Sequence, residues 1–105
     1  MSEVTLLLNT LRAYLKSNGL KILNLAKATG QSHINIALRG LFWYYSSTAE
    51  YPKLMDVIEK ILHNADMKIE LEKYGIVIVK INDEYYLRME VSTLEKLVKE
   101  AIGEK

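Results

Sequence analysis

Residues 25–32 read Leu25-Ala26-Lys27-Ala28-Thr29-Gly30-Gln31-Ser32, and the reading of this stretch decides the fold expected for its surroundings. Gly30 takes positive φ without a Cβ clash, so it suits a helix end, and Ser32 suits the cap of a next helix. Ile22, Leu25 and Ala26 then form the inward stripe of a short helix ended by Gly30. Upstream, Val4, Leu7, Leu8, Leu11 and Leu15 recur at helical spacing and predict a first helix to about residue 17, with Asn18-Gly19 as its stop. Downstream, Ile34, Ile36, Ala37, Leu38 and Leu41 supply the apolar positions of a third helix. Its register is open between one that uses Ile36 and turns Arg39 inward and one that buries Ile34, Leu38 and Leu41.

The aromatic run Phe42-Trp43-Tyr44-Tyr45 comes next, and two of the four are expected to close a core against neighbouring helices. Residues 46–50 read as a loop. Pro52 suits the first turn of a fourth helix, whose stripe is Leu54, Val57, Ile58, Ile61 and Leu62 and whose end is Asn64.

From there the period changes. Met67, Ile69 and Leu71 alternate with Lys68, Glu70 and Glu72, which predicts a strand. Tyr74-Gly75 turns the chain into the β-branched run 76–81, and Asn82-Asp83 turns it again into a strand over 85–90. Ser92, Thr93, Leu94 and Glu95 match a capping box, and Leu94, Leu97, Val98, Ala101 and Ile102 give the stripe of a last helix. The expected class is α+β: four helices over residues 1–65, then a three-stranded antiparallel meander and a C-terminal helix over residues 66–105.

Charge sorts along the chain. Between residues 4 and 49 there are five basic side chains (Arg12, Lys16, Lys21, Lys27, Arg39) and no Asp or Glu, although the whole chain carries only +1. Residues 1–65 hold seven basic and four acidic side chains, and residues 66–105 hold seven and nine. An acid-free surface is what contact with phosphates requires, because each carboxylate there would repel them. Half of the residues are hydrophobic and a quarter charged, as in ordinary globular chains. No cysteine is present, so neither disulfides nor thiolate metal sites hold the fold, and a cytoplasmic location is the expectation. The apolar cluster at residues 4–8 is broken by Asn9, Thr10 and Arg12, so neither a signal-peptide core nor a membrane span is expected.

Residues 4–63, with Leu25-Ala26-x-x-x-Gly30-x-Ser32 at their centre, resemble the lambda-repressor-like (XRE-type) helix-turn-helix family, and the passage into Met67-Lys68-Ile69 is similar to HigA-like antitoxins of that family. Gln31 departs from the family's pattern, which has an apolar residue after the turn glycine. The resemblance implies a transcriptional regulator, a repressor or an antitoxin with a toxin partner, that reads the major groove of double-stranded DNA with its third helix. The candidate DNA-contacting residues are Gln31, Ser32, His33, Asn35 and Arg39 on that helix and its N-terminus, with Lys21 and Lys27 on phosphates.

Catalysis finds no motif: there is no cysteine nucleophile, no phosphate-binding glycine loop and no cluster of histidines. No enzyme activity and no cofactor are expected, and His63 with Asp66 reads as a cap or surface pair rather than a metal site. The run 76–81 is apolar on both faces, so the second face needs cover from the chain's own helical part or from another copy of the sheet, and a homodimer through residues 66–105 is the expectation. Two rivals stand beside the repressor. One is a protein-interaction adaptor with a helix-turn-helix-like fold. The other is a winged-helix DNA binder in which the fourth helix reads DNA and the strands over 67–72 and 76–81 form the wing, a reading weakened by Asp56, Glu59, Glu70 and Glu72.

Overall fold

Helix α1, Glu3–Ala28, runs unbroken through Asn18-Gly19 in the computed structural model, which describes residues 2–103. Ser2 caps it by accepting the Thr5 N–H at 3.1 Å. The buried stripe Leu7, Leu8, Leu11, Leu15, Gly19, Leu23 and Ala26 keeps one register from end to end, which leaves Leu25 exposed rather than inward. Asn18 does not stop the helix: its Nδ2 donates to the Tyr14 carbonyl and to the Tyr44 hydroxyl, both at 3.1 Å. Gly19 is where α1 meets the last helix, since a Cβ built there would lie 2.8 Å from Val98 Cγ2. The glycine reports a close helix crossing, not an end.

The end comes at Gly30, whose φ is +68°, with the Gln31 N–H closing back on the Ala26 carbonyl at 3.0 Å. The chain then enters a strand, β1, His33–Ala37, in place of the expected third helix. Ile34 and Ile36 are buried while His33 and Asn35 are exposed, a period of two that fits a half-buried strand. Leu38–Tyr44 forms a 3-10 helix that buries Leu38 and Leu41. Of the aromatic run, Tyr44 and Tyr45 are half-buried and Phe42 and Trp43 stand outside. Tyr44 packs edge-on against Tyr14, with ring centroids 5.5 Å apart.

Helix α2, Leu54–Leu62, carries the expected stripe, with Asp56 accepting the Lys53 N–H at 3.1 Å. A short turn leads into α3, Ala65–Lys73, a helix where alternation predicted a strand. Asn64 begins this helix instead of ending the previous one, accepting the Met67 N–H at 3.0 Å. Only Leu71 of α3 is buried, so the alternation of Met67, Ile69 and Leu71 was not a sheet face.

Strands β2, Val77–Ile81, and β3, Glu84–Glu90, form a hairpin over Asn82 and Asp83, which sit at φ 50° and 66° as a tight two-residue turn requires. Helix α4, Val91–Ala101, comes directly after β3 with Glu90 at its cap position, without the side-chain cap expected from Ser92. The sheet is three-stranded and antiparallel, in the order β1-β3-β2. The class is therefore α+β, but the third strand of the sheet is β1 from the N-terminal half, and the expected four-helix layout there gives way to a helix, a strand and a 3-10 helix before α2.

Beneath the sheet, Ile34, Ile36, Leu87, Met89 and Ile76 join Leu11, Leu15, Leu41, Ile58 and Leu71 in one buried cluster. α4 packs chiefly along α1, with Leu94, Leu97 and Val98 inward. Each such side chain contributes roughly 1.5–3 kcal/mol through burial. Among the described residues, no helix is long and apolar enough to cross a membrane.

Candidate functional site

The residues expected at a DNA interface are dispersed by this fold. Lys21 and Lys27 lie on α1, Gln31 and Ser32 in the turn, His33 and Asn35 on the outer face of β1, and Arg39 in the 3-10 helix. No recognition helix carries them. Gln31 Nε2 donates to Thr29 Oγ1 at 2.9 Å, and Ser32 Oγ lies 3.0 Å from His33 Nδ1, so both serve the turn.

The acid-free stretch of sequence is not an acid-free surface. Lys27 Nζ meets Glu95 Oε1 at 3.0 Å, Arg12 meets Glu100 at 3.8 Å, and Arg39 Nη1 meets Glu84 Oε1 at 3.1 Å. Three of the five cations are thus faced by carboxylates from the C-terminal part of the chain. Glu95 also takes Lys99 at 3.5 Å, and its hydrogen bond to Lys27 holds its carboxyl below the ordinary carboxylate range. These pairs are exposed and contribute little stability, but they neutralise the charge that phosphates would seek.

A different surface emerges around α3 and β2. Leu71 and Met67 turn α3's inner side to the protein, and Ile69, 52% exposed, lies on the outward side. The helical neighbours of Ile69 at i−3 and i+3 are Asp66 and Glu72 and at i+4 is Lys73, with Lys68 and Glu70 to either side. A groove of about 190 Å³ runs between α3 and the start of β2, lined by Leu62, Lys68, Leu71, Glu72, Ile76, Val77 and Ile78. Beyond it, Val77 (43% exposed) and Ile81 (41%) lie with Val79 on the outer sheet face, while Ile76 and Ile78 turn to the core side. The doubly apolar run thus leaves one of its two faces uncovered. Sequence reading found that apolar face but missed Ile69, because a strand was expected there.

A second exposed patch lies at the 3-10 helix. Trp43 is 91% exposed, and Phe42 borders two adjoining grooves that share Met55. His63 closes on the Glu59 carbonyl through Nδ1 at 2.7 Å, and Asp66 sits in the first turn of α3. Among the described residues no group of three or more His, Asp or Glu side chains is placed to hold a metal. No protein-family model matches the chain, and neither a curated protein nor a solved structure does.

Proposed function

We propose that the chain is a winged-helix module that works by binding protein through the α3–β2 surface, rather than by reading a major groove. The element order supports the winged-helix assignment: a helix, a strand, two helices joined by a short turn, then a hairpin whose second strand pairs with the first strand of the chain. In such an arrangement α3, not α2, occupies the reading position and Asn82-Asp83 is the wing tip.

One observation carries the choice of partner. The outward side of α3 presents Ile69 with Asp66, Glu70 and Glu72 against Lys68 and Lys73, and the wing tip adds Asp83, the neighbouring Glu84 being taken by Arg39. Binding to duplex DNA rests on neutralising phosphates with Lys and Arg, and carboxylates at the contact oppose it. An exposed isoleucine on a helix that carries three acids to two cations suits an apolar protein surface better than a run of phosphates. The test is fluorescence anisotropy of a labelled random-sequence duplex pool titrated with the protein at about 50 and 200 mM salt. The expected result is no saturable binding at micromolar protein. Saturable binding that weakens by roughly three orders of magnitude across that range would overturn the reading.

The second reading is a DNA-binding transcriptional regulator, favoured by the winged-helix order of elements itself. It would place Lys68, Lys73 and Lys80 on phosphates, and the same titration decides between the two.

A further inference from the structure

Among the described residues strand β2 is hydrogen-bonded to β3 and to no second strand, so its other edge presents unpaired N–H and C=O groups. The opposite edge of the sheet, β1, is flanked by Ile22, Leu25 and Ala26 of α1 across a shallow groove. Exposed edges are ordinarily blunted by a bulge, a proline or an outward charge, because they template pairing with another chain. β2 has no proline, and its five residues pair with β3 in unbroken register. Its single charge, Lys80, is drawn back over the Tyr85 ring of its own sheet, with Nζ 5.5 Å from the ring centroid. The edge is therefore open.

We infer that β2 pairs antiparallel with β2 of a second copy, about a two-fold axis at Val79, joining two three-stranded sheets into one of six strands. The sequence of the strand is self-complementary in that register. Val79 meets Val79, Val77 meets Ile81 of the second copy, and Ile78 meets Lys80, so the outer face becomes an unbroken β-branched stripe.

The core-side face supplies the more specific pairing. On pairing, Lys80 of the second copy, opposite Ile78, leaves its Tyr85 ring for the groove between α3 and β2, which Glu72 lines together with Lys68. Glu72 makes no ion pair among the described residues, so it is available to that ammonium. The two-fold axis gives two such Lys80–Glu72 pairs, partly shielded from water by Leu62 and Ile76.

This inference rests on the protein-binding reading and names the partner as the same chain. Sedimentation velocity of the whole protein over about 1–200 μM is expected to show a monomer–dimer equilibrium. Lys80→Glu and Glu72→Lys should each weaken the dimer by about tenfold or more, and the doubly exchanged variant should recover affinity to within a few-fold of wild type. Val79→Lys, on the exposed face, should give a monomer whose circular dichroism and thermal melt match the wild type. A wild-type monomer throughout, a dimer indifferent to Val79→Lys, or a double exchange no better than the singles would overturn the inference. A monomer that also ignores duplex DNA removes only the homodimer, whereas salt-dependent duplex binding removes the functional reading beneath it.

Discussion

Gly19 shows how a single residue carries two opposite sequence meanings. In an isolated helix, replacing glycine by alanine gains roughly 1 kcal/mol, but here the new Cβ would lie 2.8 Å from Val98 Cγ2 and 3.3 Å from Leu15 Cβ. Overpacking of that kind costs about 1–3 kcal/mol, so the net effect is a loss. Gly19→Ala is expected to lower the urea midpoint, and Val98→Ala in the same chain should give back part of it; a stabilised Gly19→Ala would show that α1 and α4 cross less closely. Trp43, 91% exposed, behaves in the opposite way, and Trp43→Ala should change stability by less than about 0.5 kcal/mol. The Asn18-Gly19 pair was legible as a helix stop only while the partner at Val98, near the other end of the chain, was out of sight.

Among the elements, α3 and β1 exchange the identities that their patterns suggest. His33 to Ala37 alternates as cleanly as residues 67–72, yet the capping of Gly30 and Ser32 argued for a helix at the first, and the alternation for a strand at the second. Tertiary context reversed both: Ile34 and Ile36 are buried in a strand paired with β3, and Asn64 caps α3 while Leu71 alone is buried. Asn64→Ala should therefore cost about 1 kcal/mol in a denaturant melt, the usual loss of a helix cap, and an unchanged melt would show that the cap is not formed. The stripe of α2, the hairpin over Asn82-Asp83 and the C-terminal helix were legible because local pattern and tertiary burial agree there.

The tie between α1 and the segment before α2 has a pH signature. The Tyr51 hydroxyl donates to Glu3 Oε2, and this bond holds the Glu3 carboxyl below its ordinary range and pushes the tyrosine up to about 12. For Glu3 the folded pKa is depressed, so its contribution is present above the carboxylate range and fades as pH falls through the lowered value. For Tyr51 the folded pKa is raised, so its contribution is complete below about 10 and fades as pH climbs toward about 12. Tyr51→Phe should remove both dependences from a thermal-melt profile against pH, and an unchanged profile would show that the pair is not formed in solution.

At the scale of the whole molecule, the sheet and the ion pairs both join the two halves of the chain. β1 pairs with β3, and Lys27, Arg12 and Arg39 find Glu95, Glu100 and Glu84. The charge asymmetry read along the sequence therefore closes on itself when the chain folds, because three-dimensional neighbours and sequence neighbours differ most where a sheet draws strands from both ends. The dispersal of Lys21, Gln31, Asn35 and Arg39 has the same cause. The surface of α3 and β2 stays outward, apolar at Ile69, Val77 and Ile81 and of mixed charge around them.

The central claim is that this surface meets protein and not DNA, and amide NMR on the isotopically labelled chain tests it most directly. Raising the protein concentration should shift the resonances of Glu72 and of residues 77–81 along one saturable curve. Adding duplex DNA at about 50 mM salt should leave α3 and the wing tip unmoved. Shifts at Lys68, Lys73 and Asn82 on adding duplex, with residues 77–81 indifferent to protein concentration, would contradict the claim.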